Sequence, residues 1–292
     1  MDVGLIASAY TLSGSIVGAG VGGPARWSFA ERIKAAQEAG YTGVGVFEAD
    51  YAAMRKGGLS DRDLLQILAD HNMTVQEIEF LFDWCYDDDR ADSSKPIREN
   101  LFHMAEVFRP HHLSCGDVNR PSALPPLPIV ADRFGEICDR VAQLDVSVVL
   151  EFLPWTGIPD LSTAHEIVRM AERPNGGIML DAWHYFRGPS HLGQLQSIDS
   201  SEILAIALCD ADPPTGDPVE DTTRRRLLPG HGEFDLVGLL NTLRRLEVDV
   251  PISVEILSEE QASLSADEAA RRSYSAAMEV LGQAGYRTGS SA

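Results

Sequence analysis

Short apolar runs alternate with amphipathic stretches along nearly the whole chain. The runs are Val3–Ser8, Gly43–Phe47, Thr74–Phe80, His112–Cys115, Ser147–Phe152, Gly177–Leu180, Ile203–Cys209 and Ile252–Leu257. Several are almost unbroken in Val, Ile and Leu, as parallel strands covered on both faces require. The intervening stretches carry helical signals. Phe29, Ile33 and Ala36 form one stripe, Ser28 and Glu31 are spaced as a capping box, and Gly40 supplies a stop. Ser60, Ser162 and Ser265 are placed as further N-caps, the last with Glu268 three residues on. Eight strand signals with helical spacers predict an α/β chain folded as a single (β/α)₈ barrel over residues 1–285, followed by a loose tail at 286–292.

An open doubly wound sheet is the competing architecture. Its phosphate-loop signature is echoed by Gly18, Gly20 and Gly23, but no clear helix opens at the last glycine. That stretch reads better as a glycine-rich loop over an active site. The long connections Gly116–Pro128 and Asp210–Gly232 follow strands, where a barrel builds its lids and binding loops.

Acidic residues recur where strand runs end: Glu48, Glu151, Asp181, Asp210 and Glu255. A carboxylate beside an apolar strand is costly to bury without a cation or hydrogen bonds. On separate strands of one barrel, such residues converge on the mouth where barrel enzymes work. Clustered carboxylates either share protons as an acid/base pair or coordinate a divalent cation, with imidazole shifting the preference toward Mn²⁺, Co²⁺ or Zn²⁺ over Mg²⁺. Alternatively each acid caps the helix that follows it. His184, three residues after Asp181, is placed to reach the same site. Arg187 in the same loop and His231 in a glycine-flanked turn are candidate substrate contacts, as is Glu48.

Composition narrows the partners. The 292 residues hold 44 acidic against 24 basic side chains, a net charge of −20, with 44% apolar residues. Such a chain repels phosphate backbones and anionic lipid, so a small molecule is expected rather than nucleic acid or membrane, with a homo-oligomer left open. The four scattered cysteines read as reduced thiols of a cytoplasmic protein. No signal peptide, serine-hydrolase elbow, Walker loop or H-E-x-x-H motif is found.

At VVLEF, LDAWH, CDAD, RLLPGHG and SVEIL, in that order, the chain resembles the xylose isomerase-like sugar phosphate isomerase/epimerase superfamily. That group includes inosose dehydratases, ketose 3-epimerases and 3-dehydroshikimate dehydratases. The resemblance implies that Glu151, Asp181 and Glu255 are metal ligands, with Asp210 available to complete the shell. It makes Glu151 and Glu255 also the proton-transferring pair, and His184 and Arg226 substrate contacts or proton donors. It implies a divalent cofactor (Mn, Mg, Co or Zn) and an isomerase, epimerase or dehydratase. The reaction expected is proton abstraction beside the carbonyl of a small polyhydroxylated keto compound, through a metal-held enediolate. Three departures stand out. The family's histidine or glutamine ligand falls on Ala207, its P-G-E-G glutamate on His231, and a substrate-binding glutamate of ketose epimerases on Gly157. A 3-dehydroshikimate-type dehydratase, using Arg187 and Arg224–Arg226 as carboxylate binders, is an alternative. So is a non-catalytic ligand-binding barrel that has lost its metal at Ala207.

Overall fold

A computed structural model describes residues 4–17, 23–120 and 124–286. Eight parallel strands close into a barrel in sequence order. They are β1 (Leu5–Ala7), β2 (Gly43–Phe47), β3 (Thr74–Leu81), β4 (His112–Gly116), β5 (Ser147–Glu151), β6 (Gly176–Asp181), β7 (Ile203–Leu208) and β8 (Ile252–Val254). Closure is made by β1 against β8, with Leu5 opposite Ile252 and Ala7 opposite Val254. All eight predicted runs are strands. The last is shorter than its run: it ends at Val254, and Ile256 N–H turns to the Thr11 hydroxyl rather than to a neighbouring strand.

Helices surround the barrel, and most of the core lies between the two layers, around residues such as Ile33, Leu64, Leu101, Phe134 and Leu239. The capping boxes at Ser28–Glu31 and Ser60–Asp63 form, and Ser265 caps the last long helix through Glu268 N–H. One cap differs from expectation. Asp160, not Ser162, accepts from Thr163 N–H and starts the helix at Leu161. A carboxylate two positions earlier wins that place and also complements the helix dipole.

Alternation along each strand sets what faces inward. Val149, Met179, Ala205 and Ala207 form a small apolar cluster inside the β5–β7 half. Polar side chains also face the space within: Glu77 and Glu79 on β3, Ser114 on β4 and Ser253 on β8. The long connection after β7 is not plain loop. Asp217 and Pro218 open a short helix to Arg224, the Asp–Pro pair giving a capping oxygen and a preset φ. Bridges Asp210–Leu227 and Arg225–Ser258 fold the segment back over the barrel mouth. The glycine-rich stretch falls largely on residues 18–22, outside the described residues, as does the tail beyond Tyr286.

Candidate active site

At the C-terminal ends of the strands lies a cavity of about 140 Å³. Glu151, His184, Arg226 and Glu255 line it, with Tyr10, Phe47 and Trp155 among its apolar walls. Glu151 and Asp181 are the last residues of β5 and β6, and Glu255 directly follows β8. Inward parity brings them together, since Val149, Met179 and Ser253 two residues earlier also face the interior.

Asp181 caps the short helix Ala182–Arg187, accepting from His184 N–H at 2.9 Å. That cap folds the His184 ring back over the strand ends. Its Nε2 lies 3.5 Å from Glu151 Oε1 and 3.9 Å from Asp181 Oδ1. Arg226 comes from the segment after β7. Thr222 steadies it, its carbonyl accepting from Nε at 3.1 Å and its hydroxyl from Nη2 at 2.9 Å. Nη1 then donates to Asp181 Oδ2 at 2.7 Å and to Glu255 Oε2 at 2.9 Å.

Burial sets the electrostatics. It raises Asp181, but Arg226 and then His184 outweigh it and hold the carboxyl down at about 2. Burial pushes Glu151 well up, and the charges of Glu255 and Asp181 add to it. Glu255 is likewise raised by burial, against the pull of Arg226. Burial pushes His184 down to about 3, so its ring is neutral at pH 7 and free to use a lone pair. One carboxylate is thus fixed in its charged form by a guanidinium, beside two others disposed to carry protons.

Four other predicted site residues lie elsewhere. Glu48 follows inward-facing Phe47, so it turns outward, starts the helix Glu48–Lys56 and accepts from Asn100 Nδ2 at 2.6 Å. Asp210 has the same opposite parity relative to Ala207. Its buried carboxylate accepts from the N–H groups of Ala211, Gly230 and Phe234, which ties the P-G-H-G turn to the strand end. Arg187 pairs with Glu233 at 2.7 Å, bonds to the Asp212 carbonyl and stacks over Phe234. His231 is an exposed turn residue, its N–H bonded to the Leu228 carbonyl. None of the four lines the cavity.

Sequence reasoning passed over Glu77 and Glu79, which do line it. Their signal was present: two acids spaced by two inside a predicted strand, interleaved with Ile78 and Phe80.

The donor set suits a divalent cation. Glu151, Asp181 and His184 each offer an atom, all within 4.8 Å of one another. Two carboxylates and a neutral imidazole are a mixed oxygen and nitrogen set of the kind that holds Zn²⁺, Mn²⁺ or Co²⁺. Glu255 is outside this cluster and is held by Arg226. Ala207 contributes only a methyl group to the apolar side of the interior.

Comparison with known proteins agrees with this architecture. The family model described as a xylose isomerase-like TIM barrel matches residues 33–281. An inosose isomerase from Halalkalibacterium halodurans is 30% identical over 149 residues, 50% of this chain and 52% of that protein. A 3-dehydroshikimate dehydratase from Pseudomonas aeruginosa is 25% identical over 232 residues, 78% of this chain but 36% of that protein. The match therefore spans about half of the first relative and a third of the second. Among solved structures, the IolI protein with a bound zinc atom superposes with a TM-score of 0.82 at 18% identity, covering 96% of this chain and 99% of that one. These relatives are isomerases and dehydratases, and no helix among the described residues is long and apolar enough to cross a membrane. The chain belongs to the xylose isomerase-like TIM barrel family.

Proposed function

We propose that this protein is an isomerase or dehydratase that takes a proton from the carbon beside the carbonyl of a neutral polyhydroxylated ketone. The observation that carries the proposal is the mouth cluster itself. Glu151 and Glu255 are raised carboxyls lining one cavity, flanking Asp181, which Arg226 keeps ionised. A carboxyl whose pKa is lifted toward neutrality makes a better base for a carbon acid than an exposed one. Glu151 removes the proton and Glu255 exchanges protons from its own side of the mouth. His184, neutral and with Nε2 3.5 Å from Glu151 Oε1, hydrogen-bonds a substrate hydroxyl.

Glu151, Asp181 and His184 would hold a divalent cation, in keeping with the zinc bound by the IolI neighbour. When bound, such an ion polarises a carbonyl and favours negative charge on its oxygen.

The lining residues also bear on the substrate. Among the described residues, Arg226 is the only Lys or Arg on the cavity, and it is already paired with two carboxylates. Arg224 pairs with Glu259 and Arg225 with Asp221. A substrate with its own carboxylate or phosphate would meet no unspent cationic side chain there, which favours a neutral inosose-like ring over 3-dehydroshikimate.

The test is proton NMR in D₂O, with scyllo-inosose and 3-dehydroshikimate as separate substrates and added Mn²⁺. Deuterium entering scyllo-inosose beside its carbonyl faster than in the enzyme-free control, and lost in Glu151→Gln, is the expected result. Turnover of 3-dehydroshikimate alone would overturn the neutral-substrate reading. Exchange into neither would overturn the proton-abstraction reading.

A further inference from the structure

The wall formed by β3 carries chemistry that the mouth cluster does not use. Glu77 and Glu79 are two positions apart, so both project inward, and both are buried along the cavity. Gly45 on the adjacent β2 leaves the room they occupy. A Cβ on Gly45 would stand 2.6 Å from Glu77 Oε1 and 3.0 Å from Glu79 Oε1, so the two carboxyls share one small volume.

Their surroundings differ. Glu79 Oε1 accepts from the Ser8 hydroxyl and from Ala9 N–H, each at 3.2 Å. Glu77 has Ser8 and Ser253 nearby, and His112 Nε2 lies 3.3 Å from its Oε2 without hydrogen-bonding geometry. Among the described residues, neither Glu77 oxygen, nor His112 Nε2, nor the cavity-lining Ser114 hydroxyl has a hydrogen-bond partner. Burial pushes His112 down to about 3, so no imidazolium neutralises the pair. Two carboxylates this close and this buried do not both ionise. Burial raises both, and the charge of Glu77 raises Glu79 further.

We propose that Glu77 and Glu79 form a carboxyl dyad holding one proton, and that Glu79 delivers it to a hydroxyl leaving the substrate. This rests on the proton-abstraction reading and extends it to loss of water. Exchange beside a carbonyl needs only the mouth carboxyls, whereas elimination needs a further acid aimed at an oxygen one carbon on. In the balanced step, Glu151 takes the proton from the carbon beside the carbonyl. The electron pair of that C–H bond forms a C=C bond, the C–O bond at the next carbon breaks, and the Glu79 proton leaves with that oxygen as water. The dyad regains its proton from solvent and Glu151 releases its own. No oxidant or reductant is involved.

The experiment compares wild type, Glu79→Gln and Glu79→Asp on scyllo-inosose in D₂O with Mn²⁺. It follows carbon-bound deuterium by NMR and the enone product by ultraviolet absorbance. In wild type both signals are expected. In Glu79→Gln, enone formation should fall at least 100-fold while deuterium uptake falls less than fivefold, and Glu79→Asp should recover part of the enone rate. An infrared difference spectrum at pH 7 should show a protonated-carboxyl band in wild type that Glu79→Gln removes, a readout independent of turnover. Several results overturn the dyad: exchange without enone in wild type, enone formation in Glu79→Gln within threefold of wild type, or no protonated band. Parallel loss of exchange and enone in a folded Glu79→Gln also overturns it. Absence of exchange in wild type overturns the proton-abstraction reading instead.

Discussion

Arg226 Nη1 donates to Asp181 Oδ2 over 2.7 Å, with both side chains almost wholly removed from solvent. A paired buried charge is tolerable, but one left alone is not, and removing one partner costs about 3–5 kcal/mol. Arg226→Met should therefore lower the unfolding free energy of the metal-free protein by about 3 kcal/mol, read from urea denaturation. Because Asp181 also faces the candidate cation position, added Mn²⁺ should restore more stability to the variant than it adds to wild type. Equal gains would mean that guanidinium and cation do not share that carboxylate.

Asp210 tests the difference between a ligand and a loop anchor. Its carboxylate is spent on three backbone N–H groups. Asp210→Ala leaves buried donors without an acceptor, so a stability loss of about 2–4 kcal/mol is expected in thermal or urea unfolding. Mn²⁺ affinity should stay within threefold of wild type. Tenfold weaker binding in the folded variant would place Asp210 among the ligands.

His112 carries a pH signature. Burial holds it neutral, down at about 3 in the folded protein, whereas an unfolded histidine titrates near its ordinary value of about 6.5. Between these values the unfolded chain binds the extra proton, so stability rises with pH across this window and is lost as pH falls through it. The neighbouring His111, pushed down to about 4 by burial and by His112, adds the same sign. His112→Gln should therefore lose less stability than wild type when the pH drops from 6.5 to 4, measured by urea denaturation at each pH. An unchanged slope would contradict the assignment of a neutral buried ring.

Much of the barrel is legible along the chain because parallel strands covered on both faces leave runs such as Val148–Leu150 and Ile178–Leu180 with little polar interruption. The mouth is legible as far as strand parity reaches. Glu151, Asp181 and Glu255 keep the inward phase of Val149, Met179 and Ser253. Glu48 and Asp210 look equivalent on paper but sit one position out of phase, which turns them toward helices and backbone. Arg226 presents no periodic signal. It stands out only through the P-G-x-G that follows it, and its choice of Asp181 and Glu255 depends on the fold-back of residues 217–227 over the mouth. Glu77 and Glu79 are the converse case: their spacing was visible, but their meaning depends on Gly45 of a neighbouring strand.

Glu151, Asp181 and His184 together are expected to hold one divalent cation. The decisive measurement is an electron paramagnetic resonance titration of the chelator-treated protein with Mn²⁺, since bound and free Mn²⁺ give distinct signals. One equivalent should bind per chain in wild type, with affinity falling at least 100-fold in Glu151→Gln and in His184→Ala while both variants remain folded. Saturable binding of the same strength in those variants, or no binding in wild type, would contradict it.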